Sequence, residues 1–138
     1  MRHLYGASAF TAFQVNKIRA ATGLDALHSA EVFFIDASDA LTSANHERLG
    51  ALLQQAAPPF ERPPDLIVVP RIGTISPWSS KATEIVQVCN IDAVNRVERG
   101  VALWTSDGTS PALLELVCDP MTQTAIPDIA SATQLFHT

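Results

Sequence analysis

The order of elements predicts an α+β fold built from two β-α-β-α halves of the ferredoxin-like kind, with a mainly antiparallel sheet covered by helices on one face. Three observations predict it. Short runs of β-branched and aromatic residues alternate with stretches whose apolar residues fall on a single helical stripe, which calls for a sheet with helices packed against it. Four of the nine prolines, Pro58, Pro59, Pro63 and Pro64, stand together and rule out regular structure over 58–65. The order strand, helix, strand, helix then recurs with an offset of about 65 residues, which divides the chain into halves of about 1–57 and 66–127.

Composition sets the frame for those halves. A chain of 138 residues, 47% hydrophobic and 17% charged, is long enough to bury a core and reads as one globular domain over 1–138. With 9 Lys and Arg against 14 Asp and Glu, and no basic cluster, it lacks the electrostatic footprint of a nucleic-acid binder. No apolar run approaches the roughly 20 residues of a membrane span, and the N-terminus carries no apolar signal core. The expected compartment is the cytoplasm, with neither nucleic acid nor membrane as a partner. Cys89 and Cys118 form no CxxC pair and read as small buried hydrophobes at helical positions.

The first half opens on a short mixed segment, 3–8, followed by Thr11 with Gln14 three residues on, the spacing of a capping box. A helix over 12–21 follows, and Gly23 supplies its stop. Residues 27–36 contain Val32, Phe33, Phe34 and Ile35, a run suited to a covered strand. In the helix predicted over 44–56, Leu49, Leu52, Leu53 and Ala56 fall at i, i+3, i+4 and i+7. The proline-rich stretch reads as a stiff, exposed connection.

The second half begins with the apolar strand 66–69 and a loop that runs to a helix predicted over 81–89, with Ala82, Ile85, Val86 and Cys89 as its inner stripe. A long, kinked strand over 94–104 is interrupted by Gly100, which marks either a bulge or a place where another backbone comes close. Arg96, Glu98 and Arg99 read as a solvated or cross-strand charged face. Ser110 and Pro111 give an N-cap followed by proline at the first helical position, with Leu113, Leu114 and Val117 facing inward. A last strand over 123–126 precedes the tail 134–138.

Little here carries chemistry. The six glycines spell neither GxGxxG nor a phosphate loop, and His3, His28, His46 and His137 stand apart without metal-ligand spacing. The loop 70–83 (PRIGTISPWSSKAT) is the exception. Gly73 permits unusual backbone angles, Pro77 fixes its own φ, and Ser79 or Ser80 is placed to cap the following helix. Free N–H groups at a helix start over Ser79, Ser80 and Lys81, with Arg71 nearby, form a candidate anion site. Arg71, Trp78 and Lys81, with Ser76 in the same loop, alternatively form a domain boundary, since a purely internal loop would not need two long charged residues beside a tryptophan, a residue type enriched where partners meet. The bland alternative is that the serines only cap and Trp78 only fills a core edge.

The loop 70–83 together with 94–101 (VNRVERGV) resembles the N-terminal domain of the large, single-chain phosphoribosylformylglycinamidine synthases. Residues 6–17 (GASAFTAFQVNK) are similar to that family's opening helix, and 134–137 (QLFH) to the hand-over into a linker domain, so the resemblance spans nearly the whole chain. It departs at Ile72, where proline is more usual, and at 118–121 (CDPM), where a His-Asp-Arg-Met pattern is usual. The resemblance implies an enzyme of purine synthesis that uses glutamine, ATP and magnesium, with the glutaminase and synthetase domains outside this chain. It also implies that this domain is noncatalytic, binds no cofactor itself and bridges those two partners. The family's first domain resembles a dimer of the small separate subunit found where the enzyme is split. A different class stays open beside it, an independent module that binds an anion or nucleotide at the helix start over Ser79 to Lys81.

Overall fold

The structure is a computed structural model and describes residues 1–106 and 110–136. The first half comprises β1 (Arg2–Tyr5), α1 (Ala12–Thr22), β2 (Leu27–Ala37) and α2 (Ser43–Leu52). The second comprises β3 (Leu66–Pro70), α3 (Pro77–Val88), β4 (Val94–Thr105) and α4 (Pro111–Val117), followed by β5 (Gln123–Ile126) and a 3₁₀ helix, Ala130–Phe136. All strand pairs are antiparallel and form one sheet in the order β1-β2-β4-β3-β5. The long strands β2 and β4 are central, and each is flanked by the opening strand of its own half. The order therefore reads alike from both sides until β5 adds one more strand.

Side chains alternate across the strands, so the pairing assigns each residue to a face. On one face Leu27, Leu66, Val68 and Leu103 pack with Leu113 of α4, against Val15 and Ile18 of α1. Farther along the same face Leu4, Phe33, Ile35 and Val97 pack with Leu49 of α2 and Val86 of α3. The four α-helices thus share one face, as the sequence predicts, but they do so in two pairs with separate cores. The opposite face, including Val32, Phe34, Ile67, Val69, Ala102 and Trp104, is covered by Ala132 and Leu135 of the 3₁₀ helix.

The proline-rich connection also crosses that second face. Phe60 sits 5.0 Å from the His28 ring and 6.4 Å from Trp104, and Trp104 Nε1 donates to the Arg62 carbonyl at 2.9 Å. The connection is largely exposed, as expected, and it also straps the sheet. Proline excludes regular structure there, but it leaves carbonyls free to accept and apolar rings free to pack.

Local signals hold where they are self-contained. Thr11 and Gln14 make both halves of the capping box, and Gly23 closes α1 at φ 75° with its N–H on the Arg19 carbonyl. Two boundaries differ. Helix α2 ends at Leu52 rather than near Ala56, because Gln54 takes φ 57° and the Gln55 N–H turns back to the Gly50 carbonyl. The Ala56 N–H then bonds the Tyr5 carbonyl on the outer edge of β1, which leaves Leu49 fully buried, Leu53 half-buried and Leu52 exposed. Helix α3 begins at Pro77, not near Lys81, with Ser76 as its cap; of the expected inner stripe Val86 is buried, while Ile85 lies exposed. Cys89 and Cys118 are free and half-buried at the C-caps of α3 and α4, rather than within them.

Gly100 is the close approach, not the bulge. Pairing runs unbroken through Val32↔Gly100, and the register shift lies instead at Asp36/Ala37. A Cβ on Gly100 would stand 2.9 Å from the Val68 carbonyl oxygen and 3.0 Å from Val69 Cγ1, too close for any side chain.

Candidate functional site

Strand β3 pairs with β4 only from Leu66↔Leu103 to Val68↔Val101, so the stretch of β4 around Val97 lacks a strand on that side. Helix α3 takes the strand's place. Ser79 Oγ donates to the Val97 carbonyl at 2.6 Å, and Thr83 Oγ1 accepts from the Val97 N–H at 3.0 Å. Two side chains four residues apart lie on one helix face, and here they satisfy both backbone groups of one buried strand residue.

The helix start is tied down as firmly. Ser76 Oγ accepts from the Ser79 N–H at 3.0 Å and donates to Glu98 Oε1 at 2.7 Å. Glu98 is fully buried, and its carboxylate also accepts from the Arg99 N–H at 3.0 Å and from Arg96 Nη2 at 2.8 Å. Arg96 Nε donates to Ser79 Oγ at 3.1 Å, Nη2 to the Thr74 carbonyl at 3.2 Å, and Nη1 to the Leu135 carbonyl at 2.6 Å. The predicted solvated charged face therefore fails for Arg96 and Glu98. A carboxylate tolerates this burial because each oxygen is paired and hydrogen-bonded. Arg99 alone keeps the expected character, half exposed and 3.9 Å from Glu31 across the strands.

Trp78 lies over a cross-strand pair. Its ring stacks on Phe33 with centroids 5.8 Å apart and planes 20° apart, and the Arg99 guanidinium carbon sits 4.8 Å from its centroid. Phe33 and Arg99 are directly opposite each other on β2 and β4. Trp78 thus marks the rim of a groove of about 760 Å³ on the helix-covered face. Val68, Val101 and Pro70 line it along with Arg71, Ser76, Trp78, Arg99 and Thr122. On the other side of Trp78, a smaller hollow of about 280 Å³ holds Lys81, Leu52, Ile85 and Arg99. A third cavity, about 650 Å³ between α1 and the strap, touches none of the six candidate residues.

The six candidates therefore divide. Arg71, Ser76 and Trp78 line the groove, Lys81 lines the adjoining hollow, and Ser80 is exposed beside neither. Ser79 is fully buried, with its hydroxyl on Val97 and its N–H on Ser76. The Ser80 N–H likewise bonds the Ser76 carbonyl at 3.2 Å. The donors assigned to an anion are thus used within the protein. Arg71 and Lys81 have no side-chain hydrogen bond or ion pair among the described residues. The sequence pattern does not bring Glu98 and Arg96 into this region; Ser76-Pro77 signals the start of α3, as Ser110-Pro111 does that of α4, but not the partners that Ser76 meets. His137, at the end of the hand-over motif, lies outside the described residues.

Among the described residues, no group of three or more His, Cys, Asp or Glu is placed to hold a metal ion, and no helix is long and apolar enough to cross a membrane. A model of the family described as formylglycinamide ribonucleotide amidotransferase N-terminal matches residues 30–136, a span that runs from within β2 through the 3₁₀ helix and includes Arg71, Ser76, Trp78, Lys81, Arg96 and Glu98. The chain belongs to that family and is an N-terminal domain of phosphoribosylformylglycinamidine synthase, an enzyme of purine biosynthesis.

Proposed function

We propose that this domain is the noncatalytic bridge of its synthase, standing in the cytoplasm between the glutaminase and synthetase domains, and that the groove beside Trp78 faces one of them. ATP, magnesium and glutamine chemistry belong, in this reading, to those partner domains. The observation that carries it is the groove: a partly exposed tryptophan flanked by Arg71 and Lys81, neither with a side-chain bond among the described residues, beside the half-exposed Arg99. Exposed Ile75 and Met121 also line the groove, and exposed apolar residues beside tryptophan and arginine are the composition enriched at contact surfaces. The symmetric order β1-β2-β4-β3 supports the likeness to a paired small subunit.

The test uses Arg71→Glu and Lys81→Ala in a full-length synthase. Glutamine-dependent amidation is expected to fall, while amidation supplied with free ammonia holds near wild type, because the ammonia-using site is left intact and its feed is disturbed. Equal activities with both nitrogen sources in both variants overturn the reading. The isolated chain is expected neither to hydrolyse glutamine nor to consume ATP, and turnover of either above a no-protein control contradicts the noncatalytic assignment. Titration of the isolated chain with phosphate and with ATP separates the bridge from an anion-binding module. Tryptophan emission is expected to stay constant, and saturable quenching would favour the module.

A further inference from the structure

We propose that Arg96 couples the C-terminal 3₁₀ helix to the groove wall, so that the seating of the chain's last turn decides how firmly the loop 71–76 and the start of α3 are held. Four of the five guanidinium N–H groups are engaged, and they reach four separate segments: Thr74 in the loop, Ser79 in α3, Glu98 in β4 and Leu135 in the 3₁₀ helix. The Phe136 ring adds a fifth contact, 5.4 Å from the guanidinium carbon. A guanidinium is planar and rigid, so a shift that tilts it towards or away from the Leu135 carbonyl displaces its bonds to Thr74 and Ser79 as well.

The two ends of this coupling differ in strength. The loop side is backed by Glu98, which also holds Ser76. The tail side is a 3₁₀ helix of seven residues, a geometry with poorer hydrogen bonds than the α-helix, seated by Ala132 and Leu135 in the second-face core. The tail is the part that yields first, and Arg96 carries its loss to the groove. Loop 71–76 lines the groove through Arg71, Thr74, Ile75 and Ser76, so its wall loosens when the tail lifts. The coupling holds whatever occupies the groove.

The test is hydrogen exchange on the full chain, read at Thr74 in the wall loop, at Ser79 and Ser80 in the start of α3 that holds it, and at residues 132–136 in the tail, with the β2/β4 centre as the reference for global stability. Leu135→Ala with Phe136→Ala loosens the tail and takes the Phe136 ring off the guanidinium, while Arg96 itself is left unchanged. Relative to the reference amides, wall protection is expected to drop about tenfold, in the range of measured couplings between contacting groups. Arg96→Met is expected to lower protection at both ends, and adding the tail changes in that background is expected to leave the wall unmoved. Unchanged wall protection in the tail variant overturns the proposal, as does an equal further drop in the Arg96→Met background. Should Arg96→Met fail to fold, the tail variant alone decides, because a wall indifferent to the tail refutes the coupling.

Discussion

Helices α3 and α4 begin with the same two residues and use them differently. At α4, Ser110 Oγ accepts from the Leu113 N–H at 3.2 Å and Pro111 occupies the first turn, a self-contained cap. At α3, Ser76 makes the equivalent bond to Ser79 and, with its own proton, holds buried Glu98. The cause is where the neighbouring strand stops. Because the β3 ladder on β4 ends at Val68↔Val101, the start of α3 lies against the unpaired edge of β4 and must satisfy it. The same dipeptide is a local stop in one place and part of a tertiary network in the other.

The sharpest way to break that comparison is Glu98→Ala. It leaves the mostly buried Arg96 without its counter-charge, and removing one partner of such a pair costs about 3–5 kcal/mol, measured by urea denaturation. A loss below about 1 kcal/mol, the size of a surface pair, would mean that the network adds little to the fold. Ser76→Ala comes next, with an expected loss of about 2–4 kcal/mol, since it removes a cap and also takes one donor from the buried carboxylate. Ser110→Ala, its counterpart at α4, is expected to cost only about 1 kcal/mol. Equal losses at Ser76 and Ser110 would show that capping is all either serine does.

Thr83→Val tests the edge itself. The change keeps shape but strands the buried Val97 N–H, at an expected cost of about 1–3 kcal/mol. A neutral result would show the Val97 N–H satisfied without Thr83. The smallest effect belongs to Lys81→Ala, which is exposed and unbonded among the described residues and is expected to stay within about 0.5 kcal/mol of wild type. A larger loss would assign Lys81 to the fold rather than to the groove.

The capping box at Thr11 and Gln14, the αL stop at Gly23 and the Ser110-Pro111 start were all legible, because each is completed by residues within a few positions of one another. The start of α3 was misplaced although the same Ser-Pro signal stood at Ser76-Pro77, since Pro77 was read as shaping a loop rather than as the first helical residue. The stripe drawn through Leu49, Leu52, Leu53 and Ala56 assumed the helix continued, and the αL turn at Gln54 ends it. Of the candidate site, the grouping of Arg71, Ser76 and Trp78 was visible as one unusual loop, and Lys81 as its neighbour. Glu98 and Arg96 were not, because alternation along a strand states which face a side chain takes but not what covers that face.

By itself the sequence determined the order of elements, with strand, helix, strand, helix recurring, the α+β class and, through 70–83 and 94–101, the family. Those rest on periodicity, turn chemistry and short motifs, all properties of neighbouring residues. The tertiary structure alone decided that the helices pair over two separate cores with a groove between, that the proline-rich stretch straps the second face, and that the last turn of the chain meets Arg96. Arg62 to Trp104 and Arg96 to Leu135 are contacts across 42 and 39 positions of sequence. Only closing the sheet brings such residues together, and no local pattern records the partners they will find there.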